Sequence, residues 1–238
     1  MKIRVKTVVF GLLVLMLVLA IGAVSAIGWQ VVLGPDARPL TDRRFEASEA
    51  RLARGKYLAE GPAHCFDCHS DRDLAAPGAP IIEARKGAGW VMPIPELNNI
   101  AAPNITPDVE TGIGGWTDDE VARAIREGVR KDGAALFPVM PYLNFAALDD
   151  EDLASIVVYI RTLAPVRNTV PSRALPFPLE YIVKTMPVPI TAPQPSHPSA
   201  TPVERGRYMM TVANCEVCHT PTDMQGMPLA GLAFAGGG

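Results

Sequence analysis

The four cysteines of this chain occur in two copies of one five-residue pattern. Residues 65–69 read Cys-Phe-Asp-Cys-His, and residues 215–219 read Cys-Glu-Val-Cys-His. Two thiols on one helical turn, followed at once by an imidazole, suit covalent haem attachment, in which the thiols form thioether bonds to the haem and the histidine binds the iron. The spacing therefore predicts two haem c sites, with six residues in these roles: Cys65, Cys68, Cys215, Cys218, His69 and His219.

Two other uses of paired cysteines compete with haem. A disulfide within C-x-x-C, as in a redox-active thiol pair, would leave the following histidine and the duplication unexplained. A structural zinc site could use all four thiols, but a proline-rich stretch separates the two pairs. Haem attachment accounts for every cysteine and for two of the four histidines, so it is the preferred interpretation.

The duplication extends beyond the cysteines. Arg54-Gly55-Lys56-Tyr57 precedes the first pattern, and Arg205-Gly206-Arg207-Tyr208 precedes the second at an offset that differs by one residue. A repeat at a fixed period indicates two copies of one structural module.

A methionine is the natural second axial ligand for the first iron, because methionine opposite histidine raises the potential of an electron carrier. Met140 lies in the sequence Phe-Pro-Val-Met-Pro-Tyr, where the prolines stiffen the backbone and prevent helix. Met92, in Trp-Val-Met-Pro, is the alternative ligand, and filling the core is the ordinary role of either side chain. On the residues alone Met140 is preferred and the alternatives stay open.

Three segments of the first module carry helical signals. Thr117 and Glu120 form a capping box that opens an apolar stripe, made of Val121, Ala124, Ile125 and Val129. Acids at residues 149–152 begin a second helix, which ends before Pro165 and carries Leu153, Ile156, Val157 and Ile160. A weaker helix over residues 48–60 contains Gly55, which predicts a close crossing with the helix over 153–163. A surface position that tolerates glycine is the alternative.

The amino terminus predicts a membrane anchor. Lys2, Arg4 and Lys6 precede an uncharged, mostly apolar run over residues 7–35, which is long enough to cross a hydrocarbon core about 30 Å thick. The cations favour a cytoplasmic amino terminus and an exported body. A cleaved leader, ending at Val24-Ser25-Ala26, is the rival interpretation.

The bulk properties allow two modules and exclude one class of partner. The chain has 238 residues and a formal net charge of −3, which leaves room for a leader and about two domains. An acidic exported part without clusters of basic residues lacks the positive surface that binds nucleic acid, so no nucleic-acid partner is expected. The expected organisation is an anchor or signal segment (1–35), a first cytochrome c domain (44–165), a proline-rich linker (166–202) and the start of a second cytochrome c domain (203–238).

Several motifs together resemble the cytochrome c subunits of membrane-bound bacterial dehydrogenases that oxidise alcohols, aldehydes or gluconate. They are Asn-Ile-Thr-Pro-Asp at 104–108, Thr-Gly-Ile-Gly at 111–114, Trp116, Met-Pro-Tyr at 140–142 and the helix over 150–163. The resemblance implies an all-α, class I cytochrome c-like fold with His69 and Met140 as axial ligands. It also implies that the loop containing Asn104, Ile105 and Thr106 packs beside the haem.

The resemblance implies a periplasmic electron-transfer subunit rather than an enzyme. Its electrons would come from a quinoprotein or flavoprotein dehydrogenase and pass to ubiquinone or a terminal oxidase, by outer-sphere transfer with iron cycling between Fe(III) and Fe(II). The two alternatives are a haem c subunit of a terminal oxidase and a dihaem peroxidase.

The resemblance fails at the carboxyl end. Only 19 residues follow His219, whereas members of the family continue through a second Asn-Ile-Thr-Pro-Asp loop and often a third haem domain. Met224 and Met227 lie so near the second motif in sequence that the chain between them and His219 is too short to pass around a haem. We expect a truncated fragment with an incomplete second haem site, and an immediate in-frame stop codon after Gly238 in intact genomic DNA would refute this.

Overall fold

A computed structural model describes residues 5–171, 174–196, 201–223 and 227–236. Its helices are α1 (Val5–Ile27), α2 (Gln30–Leu33), α3 (Glu49–Glu60), α4 (Cys65–His69), α5 (Asp118–Glu127), α6 (Tyr142–Phe145), α7 (Asp150–Ile160), α8 (Leu179–Ile182), α9 (Pro202–Val212) and α10 (Cys215–His219). Strands β1 (Trp90–Val91) and β2 (Ala101–Ala102) form one short antiparallel pair. The predicted all-α class is confirmed.

The apolar amino-terminal run forms two helices rather than one. α1 carries Lys6 in its first turn and no charged residue after it. Its length of 23 residues corresponds to about 35 Å at 1.5 Å per residue. Residues 5–25 have a mean hydropathy of 2.8, and none of them is buried in the described part of the chain. Gly28 then adopts a φ of 110°, which separates α1 from α2 because the left-handed region cannot continue a right-handed helix.

The first module is built on the crossing of α3 and α7. Ser48 caps α3, and Asp149 caps α7 by accepting a hydrogen bond from the Asp152 amide at 2.7 Å. A Cβ atom on Gly55 would overlap the backbone carbonyl of Ser155. The absence of a side chain at this position is therefore what lets the two helices touch, and the predicted close crossing is confirmed.

The predicted capping box opens α5. Thr117 Oγ1 accepts from the Glu120 amide at 3.1 Å, and the Glu120 carboxylate accepts from the Thr117 amide at 2.7 Å. The predicted stripe is only partly correct, because Ala124 and Ile125 are half-buried and Val129 lies beyond the end of the helix.

A charged cluster occupies the face of α5 that the sequence pattern left polar. The Arg38 guanidinium donates to both carboxylate oxygens of Asp119, at 2.6 and 2.8 Å, and to Glu127 Oε1 at 2.8 Å. All three residues are buried. Thr41 also donates to Asp119 through its amide at 2.6 Å. This cluster holds the segment that follows α2 against the helices of the first module.

The proline-rich segment lies along the first module. The Asp150 amide donates to the Gln194 carbonyl at 2.7 Å, and the Gln194 amide donates back to Asp150 Oδ2 at 3.0 Å. The Ile190 amide reaches Glu127 Oε2 at 3.2 Å. Nearer its start, the 3-10 turn Val183–Thr185, which follows α8, packs against α2. The segment predicted as a linker therefore has specific contacts.

α9 also packs against the first module. Val212 is buried in the same hydrophobic cluster as residues of α3, α4 and α7. The Tyr208 hydroxyl donates to Asp152 Oδ2 at 2.8 Å and accepts from the Asp149 amide at 3.3 Å. The helix that precedes the second cysteine pattern is thereby fixed to the amino-terminal end of α7.

Candidate haem sites

The first cysteine pattern forms α4, whose entry is set by an unusual backbone conformation. His64, the residue before Cys65, has a φ of 49° and a ψ of 31°. Cys65 and Cys68 are half-buried free thiols. Burial raises the pKa of the Cys65 thiol to about 12 and also raises the pKa of Cys68. A redox-active thiol pair requires the opposite shift, because the thiolate is its nucleophile.

The His69 side chain is oriented as an iron ligand would need to be. It is 7% exposed, and its Nδ1 atom lies 2.7 Å from the Pro103 carbonyl oxygen. Because a carbonyl can only accept, Nδ1 carries the proton and the Nε2 lone pair is available to a metal. Burial lowers the pKa of His69, which favours the neutral, ligating form.

The loop over residues 104–106 holds the Pro103 carbonyl in place. Asn104 Oδ1 accepts from the Thr106 amide at 2.9 Å and from its hydroxyl at 2.7 Å. Asn104 Nδ2 donates to the Val166 carbonyl at 2.8 Å, and both side chains are buried. The structure thus brings this predicted loop next to His69, whereas its packing against haem stays a prediction.

The two candidate methionines lie in different surroundings. Met140 is half-buried and packs against the hydrophobic cluster. It lies between two tight turns: its amide donates to the Phe137 carbonyl, and its carbonyl accepts from the Tyr142 amide. Met92 is half-buried beside β1, and its amide donates to the Ile100 carbonyl at 2.9 Å. Met140 as the second ligand of the first iron stays a prediction.

The residues of the first site fit haem c. The donor set comprises two thiols one turn apart and an imidazole with a free Nε2. Six buried side-chain polar atoms have no hydrogen-bond partner within the described residues, and two of them, Trp90 Nε1 and Tyr142 Oη, belong to segments that adjoin His69 or Met140. Trp90 follows the glycine whose amide donates to the His69 carbonyl, and Tyr142 follows the Met140 loop. Unsatisfied buried donors are rare in folded proteins, and a bound group with polar edges would supply their partners.

The second cysteine pattern repeats the local structure of the first. Asn214, before Cys215, has a φ of 56° and a ψ of 31°. The Gly236 amide donates to the His219 carbonyl at 2.9 Å, as the Gly89 amide donates to His69 at 2.8 Å. Thr220 Oγ1 accepts from the Phe234 amide, as Ser70 Oγ accepts from the Gly87 amide. The two patterns therefore share the backbone conformation before the first cysteine and the hydrogen bonds that follow the histidine.

The second site is much less covered than the first. Cys218 and His219 are exposed, whereas His69 is buried. Met227 is exposed, and Met224 lies outside the described residues. No second ligand for an iron at His219 is assigned.

Neither rival use of the cysteines gains support. All four cysteines are free thiols. Over residues 5–171, 174–196, 201–223 and 227–236 there is no group of three or more histidine, cysteine or acidic side chains arranged to hold a metal ion, as a four-cysteine zinc site would require.

The sequence analysis did not predict two groups that orient or anchor parts of the sites through hydrogen bonds to distant residues. The Pro103 carbonyl, which orients His69, is a backbone group and has no side-chain signature. The hydrogen bonds of Tyr208 to the start of α7 were also missed, although the Arg-Gly-x-Tyr repeat singled out this tyrosine.

Comparison with known proteins supports the haem interpretation. No family model matches the chain. It is 34% identical to the cytochrome c subunit of gluconate 2-dehydrogenase from Pantoea cypripedii over 74% of its length, and 34% identical to the cytochrome c subunit of the quinone alcohol dehydrogenase from Gluconobacter oxydans over 81%. It is 33% identical to the cytochrome subunit of fructose dehydrogenase from Gluconobacter japonicus over 84%. The chain is similar to dehydrogenase cytochrome c subunits.

The resemblance predicted from the sequence motifs is therefore confirmed. The chain spans about two fifths of the length of these relatives, 39%, 39% and 41% respectively.

Proposed function

We propose that the chain is a membrane-anchored, periplasmic electron-transfer subunit with covalent haem c. Cys65 and Cys68 hold the first haem, and His69 and Met140 bind its iron. Cys215 and Cys218 hold a second haem, with His219 as an iron ligand. The observation that carries the proposal is the buried His69 ring, whose Nδ1 proton is held by the Pro103 carbonyl at 2.7 Å directly after a C-x-x-C pair.

The chain's own residues position and insulate the first site. The Pro103 carbonyl fixes the His69 ring and increases the basicity of Nε2, as outer hydrogen bonds to ligating histidines generally do. Phe66 of α4 packs in one hydrophobic cluster with apolar side chains of α3 and α7, which limits access of water from that side. When bound, haem c supplies a one-electron Fe(III)/Fe(II) couple whose potential depends on the axial ligands and on burial. No nucleophile or general base is needed.

The relatives indicate the class of donor. They are named as subunits of gluconate 2-dehydrogenase, quinone alcohol dehydrogenase and fructose dehydrogenase. We infer that this chain accepts electrons from a periplasmic quinoprotein or flavoprotein dehydrogenase. The electrons then pass to ubiquinone or a terminal oxidase, and α1 retains the subunit at the cell membrane.

Co-purification tests the partnership. Haem-loaded protein is isolated from detergent-solubilised membranes, its partners are identified by mass spectrometry, and its reduction by candidate alcohols, sugars and sugar acids is followed optically. Association with a dehydrogenase and substrate-dependent reduction are expected. Association with oxidase subunits, or turnover of peroxide, would replace the dehydrogenase assignment with one of the two alternatives. Free thiols and no Soret absorption, in a host with haem-ligation machinery, would refute haem attachment itself.

Substitution of the two methionines tests the axial ligand. Met140→Ala is expected to remove the sulfur-to-iron absorption band and to lower the potential of the first haem, since methionine ligation raises the potential. Met92→Ala is the matched control and is expected to preserve both. An unchanged spectrum in Met140→Ala, or a loss only in Met92→Ala, would overturn the assignment.

A further inference from the structure

Large apolar side chains are exposed on two elements that touch each other at the end of the candidate membrane span. On α2 and the residue before it they are Trp29, Val32 and Leu33, and on the segment around α8 they are Phe177, Tyr181 and Ile182. Phe177 and Leu33 are 82% and 79% exposed. We call these six residues the juxtamembrane patch. Six exposed large apolar side chains on two elements in contact indicate an interaction surface.

A direct contact fixes the position of α8 relative to α1. The Lys184 ammonium donates to the Val31 carbonyl at 3.1 Å, and the Val183–Thr185 turn packs against α2. Val31 is four residues beyond the end of α1, so the chain allows at most about 14 Å between the two. Lys184 therefore lies near the end of α1, and Tyr181 and Ile182 precede it by two or three residues.

The side chains of the patch have the chemistry of the membrane interface. The rings of Phe177 and Tyr181 meet edge to face, with centroids 6.1 Å apart, and the Lys184 ammonium lies 5.3 Å from the Tyr181 ring centroid. Aromatic rings with a polar tip concentrate at headgroup level, and a lysine can extend its ammonium towards the headgroups from a largely apolar position.

We propose that the juxtamembrane patch is a second membrane contact, in which the segment around α8 lies in the lipid headgroup layer beside the exit of α1. The occupant is the bilayer because the patch is continuous with the membrane-spanning helix and is held at its end. The inference rests on the proposed anchoring by α1. Its consequence is orientation: α1 alone leaves the haem module free to rotate about the exit point, whereas contacts from two separate segments fix which face of the module points towards the membrane.

Site-specific photocrosslinking tests the proposal on the full haem-loaded chain. Benzoylphenylalanine is placed singly at Phe177, at Leu15 in the middle of α1, and at Val109, which is 74% exposed on the haem module. Each protein is reconstituted in phosphatidylcholine nanodiscs that contain alkyne-tailed phosphatidylcholine, and lipid adducts are quantified after irradiation. Position 181 provides a second variant within the patch.

The expected result is lipid labelling at 15 and 177 and background labelling at 109. The yield at 177 should fall within about threefold of that at 15, because interfacial side chains lie about 5–10 Å into the boundary between headgroups and acyl chains. Labelling at 15 but not at 177 or 181 would refute the second membrane contact and leave the anchoring by α1 supported. Labelling at 177 but not at 15 would refute the anchor and keep a peripheral contact. If the complex with its dehydrogenase gives protein adducts in place of lipid adducts at 177, the patch is a subunit interface and the proposal is wrong.

Discussion

The glycine repeat offers a sharp test of the structure, because Gly55 and Gly206 occupy the same position of the Arg-Gly-x-Tyr motif but have opposite surroundings. A Cβ atom on Gly55 would overlap the Ser155 carbonyl and the Tyr159 Cβ atom, whereas a Cβ atom on Gly206 meets no described atom within 4 Å. Gly55→Ala and Gly206→Ala are therefore the same chemical change with different expected results.

Two opposing effects set the change in the free energy of unfolding that each substitution causes. Alanine in place of a helical glycine gains about 1 kcal/mol of helix propensity. At Gly55 the obstacle is backbone, so α3 and α7 must move apart, and such overpacking costs about 1–3 kcal/mol or more. Because α3 and α7 carry much of the hydrophobic cluster, we expect the upper end of this range and a net loss of about 2 kcal/mol. Gly206→Ala should be neutral or gain up to about 1 kcal/mol.

Thermal unfolding of the haem-loaded protein in detergent measures both effects. Far-ultraviolet circular dichroism reports the helices and Soret absorption reports the haem environment. A net loss of about 2 kcal/mol corresponds to a midpoint lower by about 4–8 °C for a domain of this size. A Gly55→Ala midpoint equal to or above that of the wild type would refute the close crossing. An equal loss in Gly206→Ala would show that the α9 glycine also has a close partner.

Two further predictions concern the contacts that hold the first module together. Burial alone would raise the pKa of Asp119, but hydrogen bonds from Arg38 and Thr41 hold that pKa at about 2. A carboxylate with a lowered pKa stabilises the fold at pH values above its unfolded-state pKa, and this stabilisation is lost as the pH falls through the folded-state pKa. The difference in free energy of unfolding between the wild type and Asp119→Asn should therefore shrink by about 2 kcal/mol between about pH 4 and pH 2. Urea unfolding at each pH measures it, and a gap independent of pH would contradict the lowered pKa. Tyr208→Phe removes the hydroxyl that bonds Asp152, so local opening of α9 should become easier by about 1 kcal/mol, a factor of about five in amide exchange. Hydrogen exchange should accelerate in α9 but not in α3, and equal protection of α9 in both proteins would show that the hydroxyl does not hold it.

Much of the local structure was predictable because its determinants are close in sequence. The capping box at Thr117, the acidic start of α7 and the C-x-x-C-H helices depend on residues three or four positions apart, so spacing alone predicts them. The Gly55 crossing was also predicted, since a glycine within a helix is costly unless a neighbouring backbone needs the space.

The errors occurred where distant residues decide the outcome. α5 buries Asp119 and Glu127 because Arg38, some 80 to 90 residues earlier, supplies the opposite charge. The sequence of a polar helix face does not indicate whether such a distant partner exists. The apolar run of the amino terminus is interrupted at Gly28, which periodicity alone could not place.

The sequence by itself determined the local features of this chain: two Cys-x-x-Cys-His patterns that we propose to bind haem, an apolar amino-terminal helix and the helices around the first site. Tertiary structure alone decided how these parts face one another. The Nδ1 proton of His69 is fixed by a carbonyl 34 residues away, and α9 docks on the first module through Tyr208, whose partner Asp152 is 56 residues earlier. The physical reason is that covalent haem attachment needs only a local spacing, whereas orientation and burial depend on packing between segments that are distant in the chain.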